Sequence, residues 1–462
     1  MGENKRFLNI VKFNAAHMVI GGFGIAILFG ALILMLPICS ADGTWTDFVT
    51  SLFTATTSVC VTGLVVVPTY VHWSLVGKVV ILILIQLGGL GIICMVTGFF
   101  LIIGKRISLR ERKLIQESYN LDSGHGVIKY IKDIFWGTFV VEGIGSILYS
   151  IRFIPKFGVA KGIGYSVFHA ISAFCNAGID ILGADSLISY QTDILINFTT
   201  MLLIITGGIG FIVWWDFARV YKMIRYEGLS AKKFWERLSL HTKLAVTFTI
   251  VLIVSGTILT IIFEYSNPNT IGNLSFGNKI MTSLFQSVTL RTAGFCTIDQ
   301  VGFRSGSVIV FCLFMLIGGS PMGTAGGIKT TTIAMIFFEV KSVIRGKNET
   351  EAFKRRINKD NIKTAFAVAI IALIVLFTAI IGLTFTEDAS LRNIVYEAFS
   401  AIGTVGISMN FTASLSIGGR LIIIVLMFFG RVGPITMAIA LAKRKKVDKH
   451  IKDLPEKRIM IG

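Results

Sequence analysis

The stretch DFVTSLFTATTSVCVTGL, from Asp47 to Leu64, decides the fold of this chain. It is mostly apolar and hydroxyl-bearing, it ends at a glycine, and it is shorter than the about 20 residues that a membrane-crossing helix needs. Similar short segments occupy 164–175, 278–290 and 393–403. Segments of this length, placed between longer apolar runs, fit re-entrant half-helices better than complete spans.

The four short segments recur in step with a second motif. Their closing glycines, Gly63, Gly178, Gly294 and Gly406, are 115, 116 and 112 residues apart. The second motif reads GGLG, GGIG, GGSP and GRVG, and it begins 25, 29, 24 and 24 residues after those glycines. Two motifs that keep one period indicate a fourfold internal repeat.

Longer apolar runs surround the short segments. The chain has 462 residues, of which 53% are hydrophobic and 15% charged, against about 25% charged in soluble domains. Eight runs are long enough to cross a bilayer, and they cover approximately 18–36, 75–103, 134–153, 187–215, 244–263, 308–340, 364–385 and 420–442. We therefore predict an all-α membrane protein with eight transmembrane helices and four re-entrant pore helices.

The basic residues set the predicted orientation. The net charge is +18, which in a soluble protein would indicate nucleic acid, but here Lys and Arg cluster between the repeats and at both ends, as in Lys354 to Arg356 and Lys443 to Lys446. The positive-inside rule places both termini and the inter-repeat loops in the cytoplasm of a bacterial plasma membrane protein. Each repeat then crosses twice, so the four repeats are parallel and gather around one pore. The predicted units are repeat 1 (1–104, with an N-terminal cytoplasmic segment), repeat 2 (105–218), repeat 3 (219–341), repeat 4 (342–442) and a basic cytoplasmic tail (443–462).

The glycine endings predict a cation pathway. Non-helical backbone at membrane depth is tolerated where it lines water or is buried in protein, and backbone carbonyls can replace the hydration shell of a potassium ion. Glycine lets successive carbonyls turn to one side. The other interpretation, close helix packing at small residues, explains one such glycine more easily than four in register. The predicted selectivity filter is Val61, Thr62, Gly63, Asn176, Ala177, Gly178, Thr292, Ala293, Gly294, Thr404, Val405 and Gly406.

With its four span, pore-helix, span units, each with one pore-loop glycine, the chain resembles the Trk/Ktr/HKT superfamily of potassium transporters. It is most similar there to the bacterial Ktr membrane subunits of the KtrB type, which also have eight spans. Only TVG at Thr404 to Gly406 matches the start of the potassium-channel sequence TVGYG. The resemblance implies potassium selectivity from Gly63, a homodimer in the lipid bilayer, and a cytosolic nucleotide-binding ring of the RCK type (KtrA or a homologue). It also implies sodium as an activator, for which the sequence shows no site, and it implies no organic cofactor.

The stretch IGGSPMGTAGGIKTTT, from Ile317 to Thr332, superficially resembles a phosphate-binding loop. However, Ile328 separates Gly327 from Lys329, and the stretch interrupts a span instead of following a strand. Its glycines and proline cannot continue a stable helix, and by resemblance it is the intramembrane gate. The predicted gate residues are Gly318, Gly319, Ser320, Pro321, Gly323, Thr324, Gly326, Gly327, Lys329 and Arg431.

Arg431 and Glu142 are the ionisable residues of the spans that we single out. Arg431 takes the register of Gly89, Gly208 and Gly319, so it should face the cavity and be paired. It either satisfies loop carbonyls for packing or adds a positive charge that opposes cations. Glu142 is a candidate for an ion-linked role.

Three other functions compete with potassium uptake. A sodium-conducting or weakly selective channel would share the fold. A membrane enzyme would need a polar catalytic cluster, and the sequence has no HExxH motif, no paired carboxylates at helical spacing and no nucleophile beside a base. An alternating-access carrier usually has inverted repeats, which parallel repeats disfavour. The chain is therefore expected to be a transporter subunit and not an enzyme.

Overall fold

The structure is a computed structural model, and it describes residues 15–103, 126–228, 230–434 and 436–437. The basic cluster at 105–113 and the tail at 443–462 lie outside the described residues. The described part is mostly helical. Its helices are α1 (Ala15–Leu34), α2 (Phe48–Val59), α3 (Thr69–His72), α4 (Leu75–Leu90), α5 (Ile92–Ile102), α6 (Val127–Phe157), α7 (Val159–Phe174), α8 (Ile194–Gly208), α9 (Phe211–Tyr226), α10 (Phe234–Arg237), α11 (Leu240–Glu264), α12 (Phe276–Thr289), α13 (Ser305–Leu316), α14 (Thr330–Ile344), α15 (Lys359–Thr386), α16 (Leu391–Gly403) and α17 (Ile417–Val432).

Four helices of the described chain are long and apolar enough to cross a membrane by themselves: α1, α6, α11 and α15. A fifth candidate is the pair α8 and α9, which is bent by 91° at a short break. The long helices point large apolar side chains outward. Ile25, Ile147, Ile262 and Phe377 are each more than half exposed, which is the surface expected of a protein solvated by lipid.

The short helices α2, α7, α12 and α16 lie in the interior and carry its polar residues. In α2 alone the buried side chains include Thr50, Ser51, Thr54, Thr56 and Ser58. Some of these hydroxyls bond within the helix, since Thr54 donates to the carbonyl of Thr50 at 2.9 Å and Ser58 to that of Thr54 at 2.6 Å, whereas Ser51 Oγ has no hydrogen-bond partner among the described residues. An apolar surface around a polar interior is the reverse of the arrangement in a soluble domain.

The helix that follows each short helix is interrupted, a feature that the sequence analysis expected only in repeat 3. Gly91 ends α4, Gly210 precedes α9 and Gly433 ends α17, with φ of 82°, 96° and 93°. These are the last glycines of GGLG, GGIG and GRVG, and glycine takes positive φ without steric cost. The runs 75–103 and 187–215 are therefore not continuous helices.

Two helices extend past predicted repeat boundaries, at ends that the charge pattern predicts to face the cytoplasm. Helix α9 continues to Tyr226 and α14 to Ile344, past the predicted repeat boundaries at 218 and 341. Between α14 and α15 lies a small antiparallel hairpin of β1 (Glu351–Ala352) and β2 (Arg355–Arg356). The helix ends matter more for the fold than these boundaries.

One buried carboxylate joins α11 and α13. Glu264, at the end of α11, is fully buried. It accepts hydrogen bonds from the backbone N–H of Arg304 at 3.0 Å, from Thr270 Oγ1 at 2.9 Å and from Ser307. Because Arg304 caps the start of α13, these bonds fix where α13 begins relative to the end of α11.

Candidate ion pathway

The four predicted glycine segments meet at one place in the molecule. We call the residue triplets 61–63, 176–178, 292–294 and 404–406 the convergent turns. A methyl group placed on Gly63 would lie 3.3 Å from the Cα atoms of both Gly178 and Gly406, and one on Gly178 would lie 2.5 Å from the Cα of Gly294. Residues more than 100 positions apart in the chain therefore surround a common centre.

Each convergent turn has the same backbone pattern. The glycines have φ of 99°, 64°, 81° and 89° in chain order, and the residues two positions earlier also have positive φ: Val61 49°, Asn176 58°, Thr292 68° and Thr404 52°. A β-branched residue in this region is a genuine outlier. Val61, Thr292 and Thr404 are all β-branched, so the turns are strained, and strain of this kind is retained at functional sites.

Hydroxyl groups of the short helices hold the turns in place. The N–H of Gly63 donates to Thr57 Oγ1 and the N–H of Gly406 donates to Ser400 Oγ, each at 3.0 Å. In the other two units, Ser172 donates to the carbonyl of Ile179 and Thr289 to that of Phe295, each at 2.6 Å. Each turn is therefore tied to the helix that precedes it.

A cavity of about 300 Å³ opens on one side of the convergent turns. It is lined by all four glycines and by polar groups that include Asp180, Ser408 and Asn410. Asp180 lies in the loop after α7, where burial raises the pKa of its carboxyl to about 6, although the Ser186 hydroxyl and the backbone N–H groups of Leu182 and Gly183 favour the charged form. The mouth of this cavity therefore carries a negative charge at neutral pH.

On the other side, residues 317–329 form a compact segment between α13 and α14, which we call the Gly-rich loop. The loop closes on itself, because the N–H of Gly318 donates to the carbonyl of Ile328 at 2.8 Å and the N–H of Ile328 to that of Leu316 at 3.2 Å. It also binds the end of α8, where Ser320 N–H donates to the carbonyl of Gly208 at 2.8 Å. A methyl group on Gly326 would lie 2.9 Å from Cγ2 of Thr404, so the loop abuts the fourth convergent turn.

Two basic side chains bind carbonyl oxygens of the Gly-rich loop. Arg431 of α17 donates to the carbonyls of Thr324 and Gly88, and to that of Gly89 at 3.1 Å. Lys329 Nζ donates to the carbonyl of Ala325 at 2.6 Å. Arg431 thus bridges the loop and the end of α4 through backbone carbonyls.

The predicted site residues therefore form two adjoining groups. The filter candidates lie in the convergent turns, and the gate candidates lie in the Gly-rich loop or, for Arg431, against it. Glu142 is buried on α6, where it accepts hydrogen bonds from Gln86 Nε2 at 3.1 and 3.3 Å and also from Cys175 Sγ at 4.0 Å, directly before the second convergent turn.

The sequence analysis did not foresee the hydrogen bonds between the two groups. Thr324 Oγ1 donates to Asn176 Oδ1 at 2.9 Å, which joins the Gly-rich loop to the second convergent turn. It also overlooked Arg291, whose side chain is 93% buried beside the third turn, with Nε lacking a hydrogen-bond partner among the described residues. A signal for Arg291 was present, since an arginine directly before TAGF is the only charge next to any of the four turns.

Comparison with known proteins agrees with this architecture. The solved structure of the potassium transporter TrkH from Vibrio parahaemolyticus superposes with a TM-score of 0.72 over 95% of this chain and 87% of that chain, at 15% sequence identity. The chain is 41% identical to the Ktr system potassium uptake protein B of Bacillus subtilis, over 96% of both chains. It is 38% identical to the potassium/sodium uptake protein NtpJ of Enterococcus hirae, over 98% of both.

The match to a family profile extends over nearly the whole chain. The profile described as "TrkH: Cation transport protein" matches residues 14–452. This range contains all four convergent turns, the Gly-rich loop and Arg431. With two relatives above 30% identity along their full lengths, the chain belongs to the TrkH family of cation transport proteins, which are transporters and not enzymes.

Proposed function

We propose that this chain is the ion-translocating subunit of a Ktr-type potassium uptake system. The observation that carries the proposal is the convergence of Gly63, Gly178, Gly294 and Gly406 on one centre, each with positive φ. Backbone of this kind can present carbonyl oxygens to a dehydrated cation. The curated relative of 41% identity is a potassium uptake protein.

In this proposal each long helix is a first span, the short helix and its turn form the pore helix and filter segment, and the interrupted helix is a second span. This unit occurs four times. The chain then crosses the membrane eight times as repeats 1–104, 105–218, 219–341 and 342–442, with a tail at 443–462. Both termini lie in the cytoplasm of a bacterial plasma membrane protein. The 300 Å³ cavity with Asp180 becomes the outer mouth, and the Gly-rich loop lies on the cytoplasmic side of the filter.

The Gly-rich loop serves as the gate in this proposal. Its hydrogen bonds to α8 and α17 hold it directly beneath the convergent turns, where it obstructs the path. Arg431 has two effects at once, since it satisfies loop and α4 carbonyls and also places a positive charge in the path of a cation. Opening then requires the loop to leave these acceptors.

A cytosolic regulator completes the system that we propose. Nucleotide sensing would come from a partner, for which we propose a ring of the RCK type. The subunit would act as a homodimer, with sodium as an activator. Co-purification with the regulator and the mass of the detergent-solubilised complex test both statements.

The principal experiment is potassium-limited growth of a bacterium that lacks its own uptake systems. Expression of this chain together with an RCK-type regulator should restore growth and ⁸⁶Rb⁺ uptake, and expression of the chain alone should restore less. Failure of a well-expressed, membrane-inserted chain to restore either would contradict the proposal.

A sodium-conducting or weakly selective channel is the second candidate. The observation that favours it is the similarity to NtpJ, a potassium/sodium uptake protein of 38% identity. Gly63→Ser, with K⁺ and Na⁺ uptake measured side by side, separates the two. A potassium filter should lose its preference, because a Cβ at Gly63 would lie 2.5 Å from the carbonyl oxygen of Ala177. A wild-type chain that already transports both ions equally would favour the second candidate.

A further inference from the structure

The side chain of Asn176 occupies an unusual position between the Gly-rich loop and the convergent turns. Its Oδ1 accepts a hydrogen bond from the hydroxyl of Thr324 at 2.9 Å, and the same hydroxyl is 3.0 Å from the carbonyl oxygen of Phe174. Thr324 is completely buried and Asn176 is 1% exposed. Within the described chain, water therefore has little access to this contact.

The nitrogen of the same amide reaches the third convergent turn. Asn176 Nδ2 lies 3.5 Å from Thr292 Oγ1 and 3.5 Å from the carbonyl oxygen of Arg291. One side chain thus touches the Gly-rich loop through its oxygen and the third turn through its nitrogen. The equivalent positions in the other turns hold Val61, Thr292 and Thr404, none of which has an amide.

We propose that the Asn176 amide couples the position of the Gly-rich loop to the ion preference of the convergent turns. This inference rests on the proposed function, in which the loop is the gate and the turns are the filter. Asn176 is a specificity-determining residue here because of its side chain, beyond whatever its backbone carbonyl contributes to ion binding.

The physical reason is that buried polar groups require partners. When the loop is in place, Thr324 satisfies Oδ1, and the amide is oriented with Nδ2 toward Thr292. When the loop leaves, Oδ1 loses its donor, and the amide must turn to find another. That movement removes Nδ2 from the third turn and loosens residues 292–294, whose geometry decides which ion fits.

The coupling must act in both directions. If the loop position changes the relative affinity of the turns for K⁺ and Na⁺, then the ion bound in the turns changes the stability of the loop position by the same factor. A filter that holds the preferred ion would thus favour one state of the gate.

The chain offers a matched pair of substitutions to test this. Thr324→Val removes the hydroxyl, and with it the contacts to Asn176 and to the Phe174 carbonyl, but keeps the backbone bonds of Thr324, which are its N–H to the carbonyl of Gly207 at 3.1 Å and its carbonyl to Arg431. Thr330→Val makes the same chemical change within the same region. It removes only the contact between Thr330 Oγ1 and Ser320 Oγ, at 2.8 Å, which does not reach the turns.

The measurement is the ratio of K⁺ to Na⁺ uptake by each variant at equal amounts of monodisperse protein. We expect Thr324→Val to lower the ratio by about fivefold or more, the lower end of typical coupling between sites, whereas Thr330→Val leaves the ratio at the wild-type value. A Thr324→Val protein that takes up K⁺ with the wild-type ratio overturns the inference and leaves the proposed function intact. A wild-type chain without cation uptake instead overturns the proposed function.

A double-mutant cycle distinguishes the loss of this contact from a general destabilisation of the protein. Asn176→Gly removes the amide and tolerates the positive φ of 58° at this position. In that background Thr324→Val should no longer change the ratio, because the two residues act through one contact. Independent, additive effects of the two substitutions would overturn the inference.

Discussion

At the scale of single residues, the geometry of the convergent turns depends on glycines that have no Cβ atom. Gly294 has φ of 81°, and a methyl group on it would lie 2.7 Å from the Cα of Gly178 and 2.9 Å from the carbonyl oxygen of Val405. These neighbours are backbone and cannot move aside as a flexible side chain would. Glycine is required here for space as well as for φ.

Gly294→Ala should therefore abolish transport or reduce it by at least about 100-fold, a barrier increase of roughly 2.7 kcal/mol. Gly277→Ala is the matched control, because Gly277 lies on α12 of the same unit and a methyl group there meets no atom within 4 Å. Uptake of ⁸⁶Rb⁺ at equal expression checks both. Wild-type uptake by Gly294→Ala would show that the third turn does not contact the ion.

If the proposed pathway passes Asp180, cation entry should depend on pH. Burial raises the pKa of this carboxyl to about 6, so the charge is present above pH 6 and is lost as the pH falls through that value. The nearby Cys296 thiol stays neutral, because burial and the Asp180 charge both raise its pKa. The KM for K⁺ should therefore rise severalfold between pH 7 and pH 5, since an exposed mouth without its negative charge attracts fewer cations.

Asp180→Asn is the control for this pH dependence. The variant should have the high KM at every pH between 5 and 7, because its amide cannot ionise. Initial rates of uptake at a series of K⁺ concentrations give both values. A wild-type KM that does not change over this range would show that the Asp180 charge does not act on the entering ion.

At the scale of elements, the short helices were the most predictable part of the fold. The segment 278–290 corresponds to α12 (Phe276–Thr289) and 393–403 to α16 (Leu391–Gly403), because the apolar and hydroxyl-bearing composition and the glycine period locate these segments in the sequence. The breaks at Gly91, Gly210 and Gly433 were missed. Glycines within an apolar run also occur at helix contacts, so only the tertiary fold decides which of them take positive φ.

The Gly-rich loop is the element whose removal should increase transport. Deletion of Gly323 to Gly327 removes the part that carries the Thr324 contacts to Asn176, Gly207 and Arg431. We expect uptake through the deletion variant to rise roughly tenfold, which corresponds to a barrier lowered by about 1.4 kcal/mol. The measurement is ⁸⁶Rb⁺ uptake in proteoliposomes without any regulator.

Arg431→Ala distinguishes the two effects assigned to this side chain. If its positive charge opposes the cation, the variant should also increase uptake, even though the loop remains. If Arg431 acts only as a packing partner for the carbonyls of Thr324 and Gly88, uptake should stay constant while thermal stability decreases. Equal or lower uptake in both the deletion variant and Arg431→Ala would contradict a gate at this position.

At the scale of the whole molecule, the pathway is built from contacts that cross the entire chain. Thr324 and Asn176 are 148 residues apart, and Arg431 and Gly88 are 343 residues apart. The period of the glycines predicts that the turns are equivalent, and equivalence around one axis predicts that they meet. No pattern predicts that Thr324 faces Asn176, because the matching positions in the other turns hold Val61, Thr292 and Thr404, and a contact between segments 148 residues apart leaves no periodic signal in the sequence.

Three of the four convergent turns contain a β-branched residue with positive φ, and a cation bound between the turns, as the proposed function requires, would help to hold them together. Carbonyl oxygens around a common centre repel one another, and a cation between them removes the repulsion. Because an ion that binds the folded state stabilises it by RT ln(1 + [ion]/Kd), K⁺ at a hundredfold excess over Kd contributes about 2.7 kcal/mol. The purified protein should therefore melt several degrees higher in KCl or RbCl than in choline chloride of equal ionic strength.

The difference in melting temperature between KCl and choline chloride also tests ion binding by the convergent turns without a transport measurement. Gly294→Ala should lose the K⁺-dependent part of the melting temperature, since the turns no longer close around the ion, whereas Gly277→Ala should keep it. NaCl should have a smaller effect than KCl if the turns prefer K⁺. Equal melting temperatures of the wild-type protein in KCl and choline chloride would mean that the convergent turns pack stably without an ion, and their closeness would then have to be explained by helix packing alone.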